Sequence, residues 1–370
     1  MMNERKSNIE LLRIVSMIMI VFHHYATHGG VYWNVSDGVN EWISTAMISF
    51  GKIGVDIFMI ICGYFMVEQQ FSWKRLLKLE IPVWFYSVLF GVLAYFVFGD
   101  ELGLGNVLCF LFPVLTNQGN QYWFVPCYMA TVLLSPAINK AVKSLDTKMF
   151  QRVLLIAVIL INVVPTLFHV TSIFDGNISL FVFLYLIGAF LRLNPDVIHK
   201  IRPWCGVILL FVISVAMIIG TVLLKGVFGD SLWAAGSVFA IAISVLLFII
   251  FVKLPIGYSR WINGVASTTF GIYLIHDNLY VRQHLWNQWL HCSDYYWSDK
   301  LWLHGICCAI VVFAVCMVIE KIRQALFFFI RKGYVFNCEL QWLVNDFLLL
   351  GIISLPVQVL NRKTGHKEKG

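Results

Sequence analysis

The chain has 370 residues, 59% hydrophobic and only 13% charged, with a net charge of +7. A soluble domain carries about 25% charged residues, so the composition excludes a soluble enzyme and points to an all-α, polytopic membrane helix bundle. The positive balance does not indicate nucleic-acid binding, because the charges cluster at the ends of apolar runs and no basic, aromatic-interleaved surface appears.

Apolar runs fall at about 9–28, 45–67, 81–98, 122–139, 152–168, 178–192, 204–224, 232–252, 262–279 and 302–320. They predict ten transmembrane helices. The first run follows Arg5 and Lys6 but is interrupted by Arg13, and Ala26 to Gly30 holds no small-x-small cleavage site, so it reads as a retained helix. The stretch 104–116 is short and broken by Pro113, which fits a re-entrant or interfacial piece.

With the N-terminus in the cytoplasm, the inner side collects Arg5, Lys6, Lys74, Arg75, Lys78, Lys140, Lys143, Lys148, Arg152 and nine more Lys and Arg residues. The outer side holds only Lys225, Arg282 and Lys300. This asymmetry places both ends of a ten-helix bundle inside, at a plasma (inner) membrane. Residues 1–335 read as one membrane domain, with no long polar stretch for a second soluble domain. Residues 336–370 read as a further apolar segment with a basic tail. Leu340 to Leu360 carries Asn345, Asp346 and Pro356, and an eleventh span would put Arg362 and Lys363 outside, so an interfacial position is preferred.

The nine cysteines are scattered, mostly within apolar segments, and show no CxxC or other zinc spacing. They read as small core residues; no metal is expected, and the sequence offers no support for a disulfide.

The first helix carries Arg13 and His24, eleven positions apart. At about 100° per residue they return to within about 20° of one face, separated by about 16 Å along the axis. One stripe of a membrane helix therefore holds a permanent cation and a proton-transfer group, which face a protein interior or a watery cavity. His23 lies about 100° away, so geometry selects His24. An arginine snorkelling to headgroups beside a bundle histidine fits the same pattern.

In the second helix, Lys52 and Asp56 are four residues apart and share a face, either as a structural ion pair or as substrate-facing groups. Gly51, Gly54 and Gly63 permit close approach of a helix or ligand. The loop Trp73-Lys74-Arg75-Leu76-Leu77-Lys78 before the third helix fits a positive-inside anchor and equally a polyphosphate site. Gln121-Tyr122-Trp123-Phe124 opens the fourth helix as an aromatic belt would. Thr269 to Asn278 closes the ninth, with His276-Asp277 as an orienting pair or a polar helix end.

Together these segments resemble the acyltransferase-3 family of integral membrane acyltransferases, which modify extracytoplasmic glycans. Arg13 and His24 match its Arg-x10-His motif. Gly54-Val55-Asp56-Ile57-Phe58 followed by Cys62-Gly63-Tyr64 matches its second-helix pattern, with Cys62 at the usual serine. The basic loop before a proline, the aromatic opening of the fourth helix and the Phe270-Gly271-Ile272-Tyr273-Leu274-x-His276 segment follow in order, and the resemblance covers residues 7 to about 325. Lys78 stands where arginine is common and lacks its bidentate fork.

The resemblance implies transfer of an acyl group, usually acetyl, from cytoplasmic acyl-CoA to a hydroxyl of a cell-surface or lipid-linked glycan, without a metal. Arg13, Arg75 and Lys78 would meet the CoA phosphates. His24 would act as general base, with an acyl-histidine as the less favoured variant, and Asp277 would orient a ligand or histidine. Lys52, Asp56, Trp123 and His276 are further site candidates. A transporter or flippase for a lipid-linked sugar would use the same intramembrane charges, but no matched pair of broken helices marks one.

Overall fold

A computed structural model describes residues 6–99, 103–116, 122–168 and 177–336. The expected interfacial segment at 340–360 and the basic tail lie outside them. Among the described residues the regular structure is helical, without strands.

Eleven helices matter here: α1 (Ser7–His28), α2 (Gly38–Met66), α3 (Trp73–Leu93), α4 (Phe124–Lys143), α5 (Thr147–Phe168, with a π-helical stretch at Val158–Val163), α6 (Asn177–Leu193), α7 (Pro203–Leu223), α8 (Val238–Lys253), α9 (Arg260–Ala266), α10 (Thr269–His276) and α11 (Leu301–Phe336). Six, namely α1, α2, α3 with its extension to Val97, α5, α7 and α11, are long and apolar enough to cross a membrane. α6 and α8 are apolar but shorter, at 17 and 16 residues. α4 and the α9–α10 pair cover two further apolar runs of the sequence.

Several boundaries differ from the sequence reading, each for a local reason. α3 starts at Trp73, so Lys74, Arg75 and Lys78 belong to helical turns and not to a loop. Pro82 sits inside that helix and lacks the N–H that would bond back to Lys78. The eighth span starts at Val238, where the Ser237 hydroxyl accepts from the Ala240 N–H at 3.0 Å and caps the helix. The ninth span breaks in two at Ser267–Thr268. Their hydroxyls donate to the carbonyls of Gly264 (2.7 Å) and Val265 (2.6 Å), local bonds that compete with the helical ladder.

The chain to Val318 forms one compact unit, and Ile319 onward forms a second. In the second, Arg323 pairs with Glu320 at 2.6 Å one helical turn away. In the first, α2 is the central helix: its apolar window is 78% buried, against 17% for α5 and for α7. α7 instead exposes Val207, Ile208 and Phe211, as a lipid-facing helix does. α2 packs on α1, α6 and α8.

Three glycines, Gly51, Gly54 and Gly63, bring α2 into close contact with its neighbours. A Cβ on Gly54 would stand 2.6 Å from the Ser16 carbonyl oxygen on α1, and one on Gly51 would stand 2.1 Å from His23 Cβ. On α6, a Cβ at Gly188 would meet the Ile60 oxygen at 2.1 Å, reciprocated by Gly63 against the Tyr185 oxygen at 2.0 Å. This is the small-residue packing of membrane helices, in which dispersion contacts replace the hydrophobic drive. Gly188→Leu is expected to force α2 and α6 apart, at an overpacking cost of about 3 kcal/mol or more. Size-exclusion profile and melting temperature of the detergent-solubilised protein check this. Gly257→Ala, with nothing within 4 Å, should leave both unchanged.

Candidate functional site

A cavity of about 320 Å³ lies among α1, α2, α4 and α10, within the range of small-ligand sites. Its wall follows single helical stripes. On α1 it is lined by Glu10, Arg13, Met17, Ile20 and His24, spaced alternately three and four apart. On α2 it is lined by Gly51, Val55, Phe58 and Cys62 in the same rhythm, with Lys52 beside them. Trp123, Phe124 and Tyr128 close one side, and Thr269, Phe270 and Tyr273 another. From Glu10 to His24 the groove follows α1 for about 21 Å.

The expected pairing of Arg13 and His24 on one face is therefore met, and both face the same space. At one end, Arg13 is 34% exposed and lies 3.7 Å from Glu10 Oε1, and its buried Nε has no hydrogen-bond partner among the described residues. Arg75 donates to Gln69 Oε1 at 2.6 Å, and its Nη1 has no hydrogen-bond partner among the described residues. Arg13 lines the cavity together with Cys62 and Tyr128. Lys78 is exposed.

At the other end, His24 Nδ1 lies 2.8 Å from His276 Nε2, and His276 Nδ1 lies 2.6 Å from the Ile272 carbonyl oxygen. A carbonyl only accepts, so His276 Nδ1 carries the proton, and in the neutral ring its Nε2 is an acceptor. His24 Nδ1 must then be the donor, which leaves the lone pair on His24 Nε2. That nitrogen is 3.8 Å from Asp277 Oδ1. At an effective dielectric constant of about 20, a carboxylate at that distance attracts an imidazolium by about 4 kcal/mol. Asp277 is thus placed to stabilise His24 once it takes up a proton. The carboxylate, 2% exposed, is itself held by His28 Nε2 at 3.2 Å and Arg282 Nη1 at 3.4 Å.

Other candidates fall out differently. Lys52 lines the cavity with its ammonium 5.6 Å from the Trp123 ring. Asp56 is fully buried, and both its carboxylate oxygens lack a hydrogen-bond partner among the described residues. The two therefore share a helix face without closing a hydrogen-bonded ion pair. His276 and Asp277 do not orient each other; both reach across to α1. His28 was not singled out in the sequence, although it is four residues beyond His24 and so on its face, and Arg282 was read there only as an outer-side charge. His24, His28 and Asp277 offer ligand atoms all within 4.8 Å of one another, a set that could hold a metal ion. The Arg282 guanidinium on the same carboxylate oxygen already supplies a cation there.

A bundle of apolar helices enclosing an Arg-to-His groove defines a membrane protein built for chemistry or passage within the bilayer. The family model for the acyltransferase domain matches residues 6–321. The chain belongs to the acyltransferase-3 family and has the membrane acyltransferase character of that family. No curated protein and no solved structure matches it.

The hydrogen-bond relay makes a spectroscopic prediction. In ¹⁵N-histidine-labelled protein, neutral His24 is expected as the Nδ1–H tautomer. His276→Ala should release it toward the commoner Nε2–H form. A native His24 already in the Nε2–H form would contradict the assignment.

Proposed function

We propose that the protein transfers an acyl group, acetyl being the family's usual one, from cytoplasmic acyl-CoA to a hydroxyl of a cell-surface or lipid-linked glycan. The observation that supports this reading is the groove itself, which runs along one stripe of α1 from Arg13 to the Nε2 lone pair of His24. Ten spans with both termini inside a plasma (inner) membrane put the Arg13 end at the cytoplasmic surface and the His24 end outward. The CoA phosphates meet Arg13 and Arg75, with Lys78 adding charge at the surface. The thioester arm extends up the groove past Val55 and Phe58, where the apolar wall excludes water that would hydrolyse it.

In the reaction, His24 Nε2 takes the acceptor hydroxyl proton as the oxygen attacks the thioester carbonyl. The tetrahedral intermediate collapses with cleavage of the carbon–sulfur bond, and the imidazolium returns the proton to the departing CoA thiolate. The products are an O-acyl glycan and free CoA. Asp277 stabilises the imidazolium, His276 fixes the ring's tautomer, and Lys52 and Trp123 line the wall beside the reacting groups.

The test is binding of acetyl-CoA and free CoA to the full chain in nanodiscs, with acyl transfer to a glycan acceptor measured alongside. Arg13→Ala is expected to weaken binding about 10-fold or more, the worth of a charge-assisted hydrogen bond. His24→Ala should keep binding and lower transfer by about 10²–10⁴-fold. Absence of binding of either nucleotide to folded native protein would overturn this function and favour passage of a lipid-linked sugar.

A further inference from the structure

Beyond His24 the polar stripe of α1 continues one turn to His28, and there three metal-ligating side chains converge. Asp277 Oδ1 lies 3.2 Å from His28 Nε2 and 3.8 Å from His24 Nε2, and the three atoms are all within 4.8 Å of one another. Ligands held at zinc distances of about 2.0–2.2 Å stand about 3.3 Å apart at the corners of a tetrahedron. One pair already has that spacing, and side-chain rotation brings in the other two. The His28 side chain is 29% exposed, against 9% for His24 and 2% for Asp277. An ion therefore reaches the cluster past His28.

The hydrogen bonds behind the cluster prepare it for a cation. His24 Nδ1 donates to His276 Nε2 at 2.8 Å, and the Ile272 carbonyl holds His276 in turn. The nitrogen of His24 that faces Asp277 and His28 is therefore bare, while the opposite one is fixed by a partner. That is how a metal-ligating histidine is oriented from behind. His28 Nε2 faces a carboxylate, which only accepts, so it carries a hydrogen. A metal ion takes the place of that hydrogen, and the His28 ring passes to the Nδ1–H tautomer.

We propose that His24 Nε2, His28 Nε2 and Asp277 Oδ1 form a site for Zn²⁺, and that the filled site is closed to catalysis. Two imidazoles and one carboxylate suit zinc and not Mg²⁺ or Ca²⁺, which take oxygen ligands. Three protein ligands leave a fourth position for water. Arg282, with Nη1 3.4 Å from the same Asp277 oxygen, competes with the ion. The arginine has to release that oxygen before the metal binds, which makes zinc an occasional occupant and not a permanent one. Zinc on His24 Nε2 occupies the lone pair that would take the acceptor proton. This last consequence rests on the reaction proposed above, whereas binding of the ion does not.

The test titrates Zn²⁺ into chelator-stripped, untagged full-length protein in nanodiscs by calorimetry, with Mg²⁺ as control. Co²⁺ is titrated in parallel, because its visible spectrum separates nitrogen and oxygen ligation from thiolate ligation. One Zn²⁺ per chain is expected, with a thiolate-free Co²⁺ spectrum that Zn²⁺ displaces. His28→Ala should weaken binding at least about 10-fold, and His276→Ala, which removes only the partner behind His24, by about 10- to 100-fold. Arg282→Gln removes the competing cation and should tighten it. His291→Ala, an exposed residue beside Asp294, should leave it unchanged. No Zn²⁺ binding to folded native protein, a thiolate spectrum, native affinity in His28→Ala or weaker affinity in Arg282→Gln would overturn the site. If a variant fails to fold, ¹⁵N-histidine spectra of the native chain decide: zinc must shift Nε2 of both His24 and His28. Acyl transfer, measured separately, should fall as the site fills. Zinc binding without loss of transfer would overturn the closure and keep the site; absence of zinc binding would leave the proposed reaction standing.

Discussion

The hydrogen bond from His24 to His276 is the interaction on which the rest of the site depends. Three consecutive groups settle it: the Ile272 carbonyl takes the His276 Nδ1 proton, His276 Nε2 takes the His24 proton, and His24 is left with one lone pair. In such a chain each bond polarises the next. The relay also ties α1 to α10 and fixes where the histidine ring lies along the groove. α10 can reach α1 because the ninth span is broken at Ser267–Thr268, which makes α10 a separate short helix ending at His276.

Burial of charge is handled differently at the two carboxylates Asp56 and Asp277. Asp277 has three basic neighbours sharing one oxygen, so its negative charge is compensated in place. Asp56 has none at hydrogen-bonding distance among the described residues, and an isolated ionised carboxylate in such surroundings is very costly. The two carboxylates therefore differ in kind. Asp277 is poised to respond to charge appearing on His24, while Asp56 sits away from the cavity wall inside the most enclosed helix. The glycines of α2 explain how both arrangements coexist: they draw α1 and α6 against the central helix, and the bulky Trp123, Phe124 and Phe270 then prop open the space between α1, α2, α4 and α10.

Much of this was legible in the sequence because helical periodicity is a local property. Arg13 and His24 share a stripe whatever the surrounding fold, and the cavity follows that stripe. The motifs of α1, α2 and α10 also carried the family. What was not legible depended on contacts between distant segments. Nothing local says that His276, 252 positions away, bonds to His24 rather than to its neighbour Asp277. Lys52 and Asp56 show the limit of spacing arguments, since four residues apart guarantees a shared face and not a bond. The ninth span was read as continuous because hydropathy does not register hydroxyls that turn back on their own carbonyls.

The choice between the two adjacent histidines finally rests on electrostatics and not on the stripe alone. His23 and His24 both line the cavity, and His23 Nδ1 is also engaged by a carbonyl, that of Ile48 at 2.6 Å. In their neutral forms both rings therefore present an Nε2 lone pair. The charges around them differ. Asp277 Oδ1 lies 3.8 Å from His24 Nε2, while His23 lines the cavity with the Lys52 side chain and has no carboxylate within 4.0 Å among the described residues. A proton arriving on His24 Nε2 meets a carboxylate; one arriving on His23 has no such partner among the described residues. A general base must hold a proton for the lifetime of the tetrahedral intermediate and then give it up. Under the proposed reaction that requirement selects His24. His23 is left to shape the wall against Gly51, where its Cβ leaves no room for a side chain on α2.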